Sequence, residues 1–113
     1  MSAFTSFPAT VRTRDGLSLV TQLWPLSDAQ TAKGVAVIVH GLGEHIGRYA
    51  HVARYLNQQG WHALGYDHRG HGRSQGNKGA LKQGDDYLHD LASVIDAARA
   101  AHPGQRLILV GHS

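Results

Sequence analysis

The chain has 113 residues, 42% hydrophobic and 17% charged with 14 glycines, a globular composition that excludes a disordered tail and leaves room for at most one domain. Its net charge is +3, but Lys and Arg are scattered singly between Arg12 and Arg106, without the basic, aromatic-interleaved patch that marks nucleic-acid binding. No cysteine is present, so there is no disulfide framework or thiolate metal site, and residues 1–13 hold no apolar stretch of signal-peptide or membrane-span length, which makes a soluble, cytoplasmic protein the expectation.

Val11, Leu17, Leu19 and Leu23 flank Asp15-Gly16, a pattern that predicts an antiparallel hairpin. After a polar stretch at 27–34, the run Val35-Ala36-Val37-Ile38-Val39 reads as a strand buried on both faces of a parallel sheet. A glycine-rich loop at 41–47 follows. Tyr49, Val52, Ala53 and Leu56 then fall at helical spacing before Gly60, which supplies a stop. Residues 62–66 are short enough for the next strand. Asp85 or Asp86 caps a second helix with Leu88, Leu91, Ile95 and Ala98 as its apolar face, closed by Pro103-Gly104, and 106–110 form a last strand. The fold class is α/β, a mostly parallel sheet preceded by an antiparallel hairpin, with helices on both faces.

Three segments carry the chemistry. His40-Gly41-Leu42-Gly43-Glu44-His45 begins where the 35–39 strand ends, and open α/β sheets bind ligands at the carboxyl ends of their strands. Acyl transfer builds negative charge on a carbonyl oxygen, and a glycine-flanked loop can aim backbone N–H groups at it, here that of Leu42. The same glycines would equally serve a tight strand-to-helix turn. Gly41, Gly43 and Gly47 are one residue too widely spaced for the dinucleotide fingerprint, and no phosphate-binding G-x-x-x-x-G-K-[S/T] occurs. No nucleotide cofactor is expected.

The second segment, Asp67-His68-Arg69-Gly70-His71-Gly72-Arg73-Ser74-Gln75-Gly76, also follows a strand directly. Asp67 is read as a loop organiser that accepts from backbone N–H groups or from Arg69 or Arg73. The reading as a triad acid is weaker, because in α/β-hydrolases the acid follows the serine. The third segment, Gly111-His112-Ser113, is the first half of a G-x-S-x-G turn, in which a serine stands on a sharp bend at the top of the sheet. Nine histidines invite a metal, but His40, His45, His68, His71 and His112 show no ligand spacing and no carboxylate cluster completes a set. No metal is expected, and most of these imidazoles are read as hydrogen-bonding within loops.

Taken together, His40-Gly41-Leu42-Gly43-Glu44-His45 with Arg48-Tyr49, then the 67–76 segment, then Gly111-His112-Ser113 resemble the monoacylglycerol lipase and lysophospholipase branch, serine aminopeptidase S33-like, of the α/β-hydrolases. The resemblance implies the amino-terminal part of an α/β-hydrolase domain over 1–113, with Ser113 as nucleophile and the Leu42 N–H as one oxyanion donor. It makes His40, Gly41, Gly43, Glu44, His45, Arg48, Asp67, Gly70, His71, Gly72, Ser74, Gly111 and His112 loop-organising residues. It also implies no cofactor and a lipid-like or small ester substrate.

In that family the motif continues past the serine with Met-Gly-Gly, whose first amide is the second oxyanion donor. The acid and the catalytic histidine come later still, beyond a lid through which any membrane-surface contact would run. The 113 residues alone are therefore expected to lack esterase turnover. They are also expected to leave the edge strand at 107–110 unpaired, which favours aggregation or dimerisation. Two functions stay open, a carboxylic-ester hydrolase and a non-catalytic remnant or interaction subunit that keeps a half-fold.

Overall fold

An antiparallel hairpin leads the described part of the chain, which in this computed structural model comprises residues 7–26, 32–41, 43–76 and 86–111. Strand β1 (Thr10–Arg12) pairs with β2 (Ser18–Trp24), Val11 opposite Leu19. The turn between them is closed by Thr13, whose N–H donates to Leu17 O at 2.8 Å and whose Oγ1 accepts from Leu17 N–H at 3.0 Å. Strand β3 (Gly34–Val39) follows, then a 3-10 turn at Ile46–Tyr49, helix α1 (Ala50–Gln58), β4 (Trp61–Tyr66), helix α2 (Asp86–Ala101) and β5 (Leu107–Gly111). The sheet order is β1-β2-β4-β3-β5, with β2 antiparallel to β4 and the trio β4-β3-β5 parallel.

Side-chain alternation along β3 divides the core in two. Val35 and Val37 join Leu19, Leu64 and Tyr66 under Val94 and Ala98 of α2. Ala36 and Ile38 join Ala63 under Ile46 and the α1 residues Ala53 and Leu56. The helices thus cover opposite faces of one sheet, and β3 is apolar on both sides because both sides are covered.

The inward face of α2 differs from the one expected. Leu88 is 67% exposed, and the buried stripe is Asp86, Asp90, Val94 and Ala98, with Leu91 only partly buried against the core. Two carboxylates take the place expected of leucine because a buried cation, Arg69, stands opposite them. Burial of a charge is tolerated when it is paired and hydrogen-bonded.

Candidate active-site loops

Register brings the loops together. Val39 pairs with Tyr66 on one side and with Gly111 on the other, so β3, β4 and β5 end level and the chain leaves each at the same height. Within this parallel trio the first strand is central, with the second on one side and the third on the other. Its β3/β5 boundary is therefore the topological switch point, where connections diverge to opposite faces and open a crevice.

At the end of β3, His40 is 1% exposed. Its Nε2 accepts from the His68 N–H at 2.9 Å, so the proton resides on Nδ1, which donates to Gly41 O at 2.7 Å. The His68 ring returns the contact, its Nε2–H donating to His40 O at 2.9 Å. The amides of the first loop are largely committed. Gly41 N–H donates to Glu44 Oε1 at 3.0 Å, Glu44 N–H to Gly41 O at 3.2 Å, and Gly43 N–H to His71 Nε2 at 3.0 Å. The Tyr49 hydroxyl donates to Glu44 Oε1 at 2.6 Å, and burial together with this carboxylate raises the phenol's pKa. His45 and Arg48 have exposed side chains and meet through the backbone, Arg48 N–H donating to His45 O at 3.2 Å.

Asp67 is 2% exposed and joins the second loop to the first. Its Oδ1 accepts from the Ile46 N–H at 2.7 Å and its Oδ2 from the Arg73 N–H at 3.1 Å. Ser74 Oγ donates to Asp67 O at 2.6 Å and accepts from Val20 N–H at 2.8 Å. Gly70 N–H donates to Gln75 O at 2.9 Å, which closes the loop on itself. Gly111 ends β5 with an exposed backbone. Leu42, His112 and Ser113 lie outside the described residues.

One cluster escapes a reading from local sequence. Arg69, 7% exposed, turns away from Asp67. Its Nε and Nη2 donate to the two oxygens of Asp90 at 2.7 Å each, and Nη1 and Nη2 donate to Asp15 at 3.0 Å. Asp86 stands 3.5 Å from Nη1. This fork ties the second loop to α2 and to the hairpin turn. The Arg69 hydrogen bonds, with help from Thr13, hold the Asp15 carboxyl at about 2. A pair of aspartates four residues apart on one helix, with an arginine in a loop that packs there, is the available signal.

The two buried imidazoles of the site, His40 and His68, are held in the neutral form. Burial, and next the His40 ring beside it, hold His68 down to about 4, and burial lowers His40 as well. An imidazole with a pKa of 6.5 in the unfolded chain and about 4 in the fold adds stability in full above pH 6.5 and loses it as the pH falls towards 4. Unfolding free energy measured by urea melts is therefore expected to drop across that window, by about 3 kcal/mol from His68 alone. A flat profile between pH 6.5 and 4 would contradict its burial as the neutral form. Among the described residues no His, Asp and Glu cluster is placed to hold a metal ion, and no helix is long and apolar enough to cross a membrane.

Residues 30–113 match the family model described as serine aminopeptidase, S33. A monoacylglycerol lipase of Mycolicibacterium smegmatis is 37% identical over 99 residues, which cover 87% of this chain and 34% of that protein. The monoglyceride lipase of Homo sapiens is 32% identical over 99 residues, 88% of this chain and 32% of that one. A soluble variant of monoglyceride lipase from Saccharomyces cerevisiae, solved with a substrate analogue, superposes with a TM-score of 0.76 at 22% identity over all of this chain and 38% of its own. The chain thus spans about a third of the length of the curated relatives it matches. With a matched family model over 30–113 and a fold that superposes on the yeast structure, the chain belongs to the serine aminopeptidase S33 family, on the fold of the α/β-hydrolases.

Proposed function

We propose that this chain supplies the nucleophile and the oxyanion loop of a serine hydrolase that cleaves carboxylic esters of monoacylglycerol or lysophospholipid type. The observation that carries this reading is the register Tyr66–Val39–Gly111. It ends β5 level with β3, Gly111 beside Val39, at the edge of the sheet where α/β folds bind ligands. In the proposed reaction Ser113 Oγ gives its proton to a general base and attacks the ester carbonyl. The oxyanion that forms accepts a hydrogen bond from the Leu42 N–H. Collapse expels the alcohol, which takes the proton from the base, and water then hydrolyses the acyl-enzyme by the same steps.

The two amides flanking Leu42 are already bonded, Gly41 to Glu44 and Gly43 to His71, which is consistent with Leu42 as the donor of this loop. The base is a different matter. His40 and His71 use both ring nitrogens in loop bonds, and His68 Nδ1 is buried. None of these three offers a nitrogen to a serine hydroxyl. In α/β-hydrolases the acid and the base follow the serine in the chain, so residues 1–113 by themselves are proposed to turn over no ester.

The test is covalent labelling of the native gene product with a fluorophosphonate probe. Labelling is expected at Ser113, abolished in Ser113→Ala and accompanied by hydrolysis of monoacylglycerol. A folded protein that takes no probe, or one whose labelling survives the substitution, would refute the proposal and favour the non-catalytic alternative.

A further inference from the structure

His71 lies on the second loop, yet its ring nitrogen holds an amide of the first. Nε2 accepts from Gly43 N–H at 3.0 Å, so Nδ1 bears the proton and donates to Arg69 O at 3.0 Å. On the far side of Leu42, the Gly41 amide is held by Glu44. The segment that carries Leu42 is therefore pinned at both ends, once by a carboxylate and once by an imidazole that is only part-buried. The Arg69 carbonyl at the other end of that imidazole belongs to the residue clamped between Asp90 and Asp15, so the ring is mounted on a rigid point of the fold.

We propose that His71 is a positioning residue and proton-sensitive latch of the oxyanion loop, a role that rests on the hydrolase reading above. Only the neutral imidazole can accept from Gly43. A proton added at Nε2 turns the acceptor into a donor facing another N–H, and the Gly43 end of the loop is released. Around the ring stand His40 from the end of β3, centroids 5.4 Å apart, His68 from the end of β4 at 5.9 Å, and Tyr87 of α2 at 6.3 Å. The carboxylates of Asp67 and Glu44 act on the adjoining His40. His40 and His68 are buried and held down by that burial, and Tyr87 is raised further above its ordinary range by burial, so none of these neighbours adds a charge beside the ring.

The latch affects the transition state more than the bound substrate, because the Leu42 N–H is asked to meet an oxygen that carries full charge only there. Displacing such a donor by an ångström can cost about 10²-fold in rate. The substitutions that test it are His71→Ala and His71→Gln, since a glutamine amide oxygen can reach the Gly43 N–H and does not titrate.

Two readouts are taken on the native gene product. In a 15N-edited spectrum the Gly43 amide is expected to shift as the wild type is acidified and to stay put in His71→Gln. In steady-state hydrolysis of a monoacylglycerol, His71→Ala is expected to lower kcat by about 10²-fold with little change in KM, while His71→Gln restores most of kcat and lacks the acidic fall that the wild type shows. A Gly43 amide indifferent to His71→Gln, or a His71→Ala enzyme with wild-type kcat and pH profile, overturns the latch. A titrating Gly43 amide in a protein with no Ser113-dependent labelling leaves the latch standing and removes the hydrolase reading.

Discussion

Asp90→Ala is expected to destabilise the fold by about 3–5 kcal/mol, the range for breaking a buried ion pair from one side. Asp90 is fully buried, and its two oxygens take the Nε and Nη2 protons of Arg69 at 2.7 Å. Removing that carboxylate strands a guanidinium that is itself 7% exposed. Asp15 and Asp86 remain, but Asp15 has a side chain 49% exposed, and Asp86 is 3.5 Å away. Asp15→Ala should therefore cost about 1 kcal/mol or less, as for other solvent-screened pairs. The double variant Asp90→Leu with Arg69→Met should recover most of the loss, because a hydrophobic replacement removes the desolvation penalty along with the attraction. Urea unfolding of the three variants at neutral pH checks this. Equal losses for Asp90→Ala and Asp15→Ala would mean that Arg69 is not held by its buried partner.

That clamp also shows where a reading of the sequence reaches its limit. Residues 35–39 were legible as a continuous apolar, largely β-branched run and residues 62–66 as a short run between Gly60 and the 67–76 loop, and both lie within β3 and β4 as found. The turn at Asp15-Gly16 was legible because its chemistry is local. The face of α2 was not, since hydrophobic periodicity favours Leu88 over Asp90, and the cation that reverses the choice sits 21 residues upstream. Asp67 follows the same rule. Its pairing with the Arg73 amide is local, but its bond to the Ile46 amide spans 21 residues in the other direction. Likewise the imidazoles bond between the two loops, His40 with residue 68 and His71 with residue 43, because β3 and β4 end level in the sheet. Motifs mark which residues meet, and the register of the strands decides which atoms do.

Gly72→Ala is expected to damage stability and activity together, through Asp67. Gly72 sits at φ +52, and a Cβ there would lie 2.5 Å from Asp67 Cγ and Oδ2 and 2.7 Å from Oδ1. The left-handed backbone alone costs a residue with a side chain about 1 kcal/mol, and overpacking a close contact adds about 1–3 kcal/mol. The carboxylate cannot swing aside without releasing the Ile46 N–H at 2.7 Å or the Arg73 N–H at 3.1 Å. Ile46 opens the 3-10 turn that follows the 40–45 loop, so its release loosens the downstream anchor of that loop, and kcat should fall by about 10²-fold while KM changes less. Gly16→Ala is the matching control, since Gly16 also has a positive φ, +93, but a Cβ there meets nothing within 4 Å. It should show the backbone penalty of about 1 kcal/mol without a change in kcat. The gap between the two variants, read on the native gene product by urea melts and steady-state hydrolysis, isolates what the Asp67 carboxylate contributes by standing still. If the two glycines respond alike, Asp67 has room to move and the first loop is anchored elsewhere.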